Sequence, residues 1–200
     1  MTDFLIATNN SHKVEEFKRI LNPLGINVLS AKEAGVDLGE VLENGTTFAE
    51  NANIKASSAY KISSMPTIAD DSGLCVDALG GAPGLYTARY GGEGLTQTER
   101  NALLLKNLES VTKENRTARF VCSICCIIDE DNVIEVEGIC EGYIADSPSG
   151  TDGFGYDPVF LYKDGRCFGQ ISGEEKDIVS HRGVALRKLK EALEIRKDVL

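Results

Sequence analysis

Histidine is scarce in this 200-residue chain: only His12 and His181 occur, too few for a histidine-rich zinc centre. The Gly-x-x-x-x-Gly-Lys-Ser/Thr loop is missing, which excludes a P-loop protein. Also missing are a Gly-x-Gly-x-x-Gly opening a helix after a strand, a Gly-x-Ser-x-Gly elbow and a His-Glu-x-x-His pair. No apolar run approaches the ~20 residues that a membrane helix needs. Met1-Thr2-Asp3-Phe4 lacks the basic-then-apolar pattern of a signal peptide. The expectation is a cytoplasmic protein with no membrane partner. Positive charge is in short supply as well, with 21 Lys and Arg against 31 Asp and Glu and a net charge of −10. That field repels nucleic acid and anionic membrane surfaces, so neither is expected as a partner. An anionic substrate would need local cations or a metal to overcome it.

What is present fits one ordinary globular domain over residues 1–200, since domains commonly run to roughly 100–200 residues. The 42% hydrophobic and 26% charged fractions are unexceptional. Six cysteines occur, and Cys122-x-x-Cys125-Cys126 superficially resembles half a zinc site. It lies inside an apolar run, Phe120 to Ile128, that reads as a buried strand. In a strand Cys122 and Cys126 share one face and Cys125 points the other way. No second pair stands at zinc spacing, so the thiols are expected to pack as small hydrophobes in a reducing compartment.

Strands and helices alternate along the chain. Phe4–Ala7 is a short strand, followed by a helix with Val14, Phe17, Ile20 and Leu21 on one face that stops at Asn22-Pro23. Thr47 and Glu50 form a capping-box pattern opening a helix that turns Phe48, Ala52, Ala56, Ala59 and Ile62 inward. Thr67–Ala69 is a strand leading into Asp70-Asp71-Ser72-Gly73, and a glycine-rich turn covers residues 80–84. Thr96 and Glu99 make a second capping box, opening a leucine-rich helix through Leu108. Strands Thr117–Ile128 and Val133–Ile144 form a hairpin, and Ser180 caps a helix burying Ala185, Leu186, Leu189 and Leu193. This is an α/β protein with a mixed sheet.

Three segments put polar groups where strands and helices end. Thr8-Asn9-Asn10-Ser11-His12-Lys13 is a strand-to-helix turn whose free N–H groups attract an anion, with Lys13 adding a charge. Alone, it also reads as a helix cap with an exposed lysine. Asp70-Asp71-Ser72-Gly73 suggests a Mg²⁺ site, because that ion prefers oxygen ligands, or else a solvated turn. If both carboxylates lie in extended chain they face opposite ways, and at most one meets a given ligand. The third group is Phe154-Gly155-Tyr156-Asp157, Lys176 and Ser180-His181-Arg182. Its aromatic could stack on a base whose edge Asp157 and Arg182 could read. The plain alternative is an aromatic loop on the core and a basic patch in water.

Taken together, TNNSHK (residues 8–13), TFAENANIKA (47–56), ADDSGL (69–74), LGGAPGLYTARYGG (79–92), GFGYDPVF (153–160) and SHR (180–182) resemble the inosine triphosphate pyrophosphatase family. These are the Ham1-like pyrophosphatases of non-standard purine nucleoside triphosphates, and the likeness runs from Leu5 to about Leu189. The resemblance implies an elongated α/β fold with two lobes around a long mixed sheet and a nucleotide cleft between them. It implies Mg²⁺-dependent hydrolysis of ITP, dITP and XTP to the monophosphate and pyrophosphate, cleansing the nucleotide pool, and a homodimer.

By matching position, Asp71 would be the general base and a metal ligand. Thr8, Asn9, Asn10, Ser11, His12 and Lys13 would hold the phosphates, with Ser72 close by and Lys55 in reach. Phe154 would stack on the base while Gly155, Tyr156 and Asp157 shape its pocket. Lys176, His181 and Arg182 would complete binding, with Arg182 at the purine 6-oxo group. Many family members carry a Glu-Glu pair where this chain has Leu42-Glu43-Asn44-Gly45, so Glu43 is the candidate second metal ligand. Asp152 stands where the family often has glycine. Two other readings are a Maf-like nucleotide pyrophosphatase, which would lack the FGYDP and SHR segments, and a non-catalytic purine nucleotide-binding protein.

Overall fold

A computed structural model describes residues 3–196 of the chain. Six strands form one sheet in the order β2-β1-β3-β4-β5-β6. In chain order these are β1 (Asp3–Ile6), β2 (Asn27–Ser30), β3 (Thr67–Val76), β4 (Thr117–Ile127), β5 (Val133–Ile144) and β6 (Phe160–Tyr162). The helices are α1 (Ser11–Leu21), α2 (Ala31–Ala34), α3 (Phe48–Ser63), α4 (Gln97–Asn107), α5 (Gly173–Val179) and α6 (His181–Ile195). β1 runs parallel to both β2 and β3, and β6 runs antiparallel to β5. β4 and β5 are neighbours joined by residues 128–132. A connection that short cannot make a parallel crossover, so they form the expected hairpin and the sheet is mixed.

The residues divide into two compact units. The first holds residues 3–71, 122–138 and 181–196, and the second holds 72–121 and 139–180. In the first, the period-two alternation of β1 sorts its side chains. Phe4 and Ile6 pack with Phe17 and Leu21 of α1 and with Leu186 and Leu189 of α6. Leu5 and Ala7 pack with Ala52, Ala56 and Ala59 of α3, whose small side chains let that helix lie close. Cys122 and Cys126 join the former cluster and Cys125 the latter, as a strand reading requires. In the second unit, Leu104 of α4 and Leu108 at its C-terminal cap share a core with Tyr156, Phe160 and Phe168. Phe120 and Phe160 meet there at 4.6 Å between ring centroids.

Several expectations need correcting. β3 does not end at Ala69 but continues through Asp70, Asp71, Ser72 and Gly73 to Val76, because Leu74 and Val76 are core residues that keep the chain extended. Ile62 is half exposed, because its position on α3 lies off the face on which Ala52, Ala56 and Ala59 pack. Thr47 accepts from Glu50 N–H, but the Glu50 carboxylate reaches back to Thr46 rather than completing the box at Thr47. The Thr96–Glu99 box is complete. β2, α2, β6 and α5 were not anticipated.

Gly138 of β5 meets the N-terminal turn of α6 at backbone distance. A Cβ there would run into the carbonyl oxygen of His181 and the amide nitrogen of Ala185. Both neighbours are backbone and cannot swing aside, so Gly138→Ala should lower stability by about 1–3 kcal/mol. Urea unfolding measures this, and an unchanged midpoint would contradict the close approach.

Candidate active site

The consecutive carboxylates of β3 sit in extended chain and meet different partners. Asp70 is fully buried, and its Oδ2 accepts from Lys13 Nζ at 2.8 Å and from Arg182 Nη2 at 3.1 Å and Nε at 3.3 Å. Arg182 Nη1 pairs with Glu16 of α1, also buried. Two cations and two anions thus close a neutral group between the middle of β3, the N-terminal half of α1 and the first turn of α6. Burial works against the charge of Asp70, but Lys13, Arg182 and Lys55 outweigh it and hold its carboxyl well below the usual range. Arg182 responds in the opposite sense: burial opposes its charge, and Asp70 and Glu16 push its pKa up.

Asp71 turns to α3. Its Oδ1 accepts from Lys55 Nζ at 3.1 Å and its Oδ2 from Asn51 Nδ2 at 3.2 Å. Asn51 and Lys55 are one helical turn apart, so the helix offers two donors to one carboxylate. Gly45 N–H donates to Asn51 Oδ1 at 2.8 Å, which turns the amide so that its NH₂ faces Asp71. Lys55 also reaches Glu43 Oε2 at 3.0 Å, so Asp71 and Glu43 converge on one point. Burial raises the Asp71 pKa despite Lys55 and Asn51, a direction suited to a proton acceptor.

The start of α1 is a capped helix end. Asn10 Oδ1 caps it by accepting from His12 N at 3.0 Å and Lys13 N at 3.4 Å, and Thr8 Oγ1 accepts from Asn10 N. Asn9, Ser11 and His12 are exposed. The first turns of α3, α4 and α5 carry glutamates, whereas that of α1 carries no acidic residue. Lys13 is not the exposed lysine of the plainer reading, since it is paired with Asp70. His181 and Arg182 are buried rather than forming a basic patch in water. The guanidinium expected at a purine 6-oxo group is committed here to Asp70 and Glu16.

The first unit therefore gathers Thr8 to Lys13, Glu43, Lys55, Asp71, His181 and Arg182. Ser72, Phe154, Gly155, Tyr156, Asp157 and Lys176 belong to the second. There Asp157 Oδ2 accepts from Phe154 N at 2.8 Å and from Lys176 Nζ at 2.6 Å. The Lys176 ammonium lies 4.6 Å from the Phe154 ring centroid. Tyr156 is buried and its hydroxyl donates to the Thr87 carbonyl at 3.1 Å, with burial pushing its pKa up to about 12. Asp157 and Lys176 are both buried and shape the loop that carries Phe154. Sequence reading missed Glu16, Asn51 and the structural part of Asp70. Glu16 had a signal, a charge beside Phe17 on the inner stripe of α1.

Among the described residues no group of three or more His, Cys, Asp or Glu could hold a metal ion. Asp71 and Glu43, which both meet Lys55 Nζ, are oxygen donors of the kind Mg²⁺ takes, an ion that keeps several waters and takes other ligands from substrate phosphates.

Among solved structures, a HAM1 protein from Coxiella burnetii matches this fold with a TM-score of 0.87 at 38% identity, covering 97% of this chain and 99% of its own. The sequence comparisons narrow this further. Residues 4–192 match the Ham1 family, and the chain belongs to it. A dITP/XTP pyrophosphatase of Bacillus licheniformis is 48% identical over 195 residues, covering 97% of this chain and 99% of its own. One of the same name from Escherichia coli K12 is 41% identical over 196 residues, covering 96% and 98%.

The adjacent carboxylates should answer differently to amidation. Asp70→Asn removes the buried anion that Lys13 and the buried Arg182 share and should cost about 3–5 kcal/mol in urea unfolding. Asp71 has a raised folded pKa, so its ionised form opposes stability near neutral pH, and Asp71→Asn should leave stability unchanged or slightly higher. Equal losses in the two variants would refute the division.

Proposed function

We propose that the protein hydrolyses non-standard purine nucleoside triphosphates (ITP, dITP and XTP) to the monophosphate and pyrophosphate, removing them from the nucleotide pool. The observation that carries this is the Asp71 carboxylate, raised in pKa by burial and set between Lys55 and Asn51 with Glu43 converging on the same lysine. Family membership and relatives named dITP/XTP pyrophosphatase support the same reading.

In this reading the α1 N-terminus and Lys13 receive phosphate oxygens, which the helix end and the cation favour. Asp71 and Glu43 would hold Mg²⁺, whose chemistry is to neutralise phosphate charge and to make water more acidic. A carboxylate oxygen of Asp71 takes a proton from the attacking water as the bond between the α- and β-phosphates breaks. Lys55, in contact with both carboxylates, is within reach of the departing pyrophosphate's charge. Phe154 stacks on the base, Gly155, Tyr156 and Asp157 shape its pocket, and Lys176 and His181 complete nucleotide binding. Preference for 6-oxo over 6-amino purines is assigned to Arg182, a pure donor whose contact with the base competes with Asp70 and Glu16. A buried donor facing an amino group costs about 1–3 kcal/mol, up to about a hundredfold in kcat/KM against ATP.

The proposal includes a homodimer working in the cytoplasm. All six cysteines are free, as a reducing compartment would keep them, and no helix among the described residues is long and apolar enough to cross a membrane.

The test is pyrophosphate release from ITP with and without Mg²⁺, beside GTP and ATP. Metal-dependent pyrophosphate is expected, reduced at least about a hundredfold in Asp71→Asn. Release of orthophosphate would identify the wrong bond. Tight ITP binding without turnover would favour the non-catalytic reading.

A further inference from the structure

Phe154 hangs between two glycines, Gly153 at φ +73° and Gly155 at φ +64°. Glycine alone adopts this left-handed backbone without strain, so the ring is mounted between two hinges. Each hinge is pinned by one side chain. On the N-terminal side Asp157 Oδ2 accepts from Phe154 N–H at 2.8 Å. On the C-terminal side Asn101 Nδ2 donates to the Gly155 carbonyl at 3.2 Å.

We propose that Asn101 is a positioning residue for the nucleotide base, acting through Gly155 to hold the ring of Phe154. This rests on the reading of Phe154 as the residue that stacks on the purine. Asn101 lies on the inner stripe of α4 that continues as Leu104 and Leu108 into the core containing Tyr156. A leucine would continue that stripe. Asparagine is a poorer helix former, and a buried amide is unfavourable unless bonded. The amide at 101 is 6% exposed and is bonded at both ends, with Oδ1 accepting from Gln97 Nε2 at 3.0 Å. A backbone carbonyl can only accept, so Gly155 fixes which end of the amide faces the loop. The asparagine thus interrupts an apolar stripe at the place where the loop presents a carbonyl.

The test compares Asn101→Leu, Asn101→Asp and Phe154→Leu with the parent enzyme. Asn101→Asp keeps the acceptor for Gln97 but replaces the donor to Gly155 with a carboxylate oxygen and its charge. Measurements are kcat and KM for ITP, calorimetric binding of IMP and of pyrophosphate, and the melting temperature. For both Asn101 variants KM should rise and IMP affinity fall about five- to tenfold, the worth of one hydrogen bond. Pyrophosphate affinity and kcat should change by less than about twofold. Parallel losses of kcat, pyrophosphate affinity and melting temperature would reduce Asn101 to a structural role and overturn the proposal. So would an unchanged KM in both Asn101 variants while Phe154→Leu raises it, an outcome that leaves the stacking reading intact. If Phe154→Leu also leaves KM unchanged, the stacking reading falls and takes the proposal with it.

Discussion

Successive side chains of a β-strand face opposite ways, and much of the candidate site follows from that alternation at Asp70 and Asp71. One carboxylate enters the side of the sheet covered by α1 and α6, the other the side covered by α3. Asp70 is surrounded by charge that makes its ionised form comfortable: Lys13 and Arg182 bond it, and Glu16 balances the second cation. Asp71 is left less comfortable, since burial there outweighs Lys55 and Asn51. The strand therefore places a structural anion and a chemically poised one a single residue apart. No shared-proton pair can form between them.

The same accounting applies to the cations. In a chain of net charge −10, Lys13, Lys55, Lys176 and Arg182 are each held by at least one carboxylate. A site built from neutralised cations has little long-range pull on an anion. In the proposed function, recognition would then rest on short-range contacts rather than on a long-range field. This suits selection among nucleotides that share a triphosphate and differ at one or two base substituents.

Legibility in the sequence followed the range of the interactions involved. The β4–β5 hairpin, the complete Thr96–Glu99 box and the opposed faces of Cys122 and Cys125 are local consequences of periodicity and capping, and all were readable. β2 and β6 were not, because each is only three or four residues long and is fixed by pairing with β1 or β5. Asp70-Asp71-Ser72-Gly73 has the composition of a turn. Only the burial of Leu74 and Val76 keeps it extended. Within the site, the resemblance singled out Asp71, Lys55 and Glu43, whose contacts now lie around one lysine. It could not foretell that Glu16 and Asp70 absorb Arg182, because those groups are 166 and 112 residues away along the chain.

The buried thiols have a consequence for watching the protein move. Cys122, Cys125 and Cys126 lie in the first unit and Cys75, Cys140 and Cys167 in the second. Burial raises the pKa of all six, to about 12 for Cys125 and Cys140. In the native state almost no thiolate is available to an alkylating reagent. Cysteine is modified quickly only where the chain opens, so pulsed alkylation followed by peptide mapping would report the opening of each unit by itself, with no introduced label. The chain carries its own set of probes for local unfolding, three buried thiols in the first unit and two, Cys140 and Cys167, in the second.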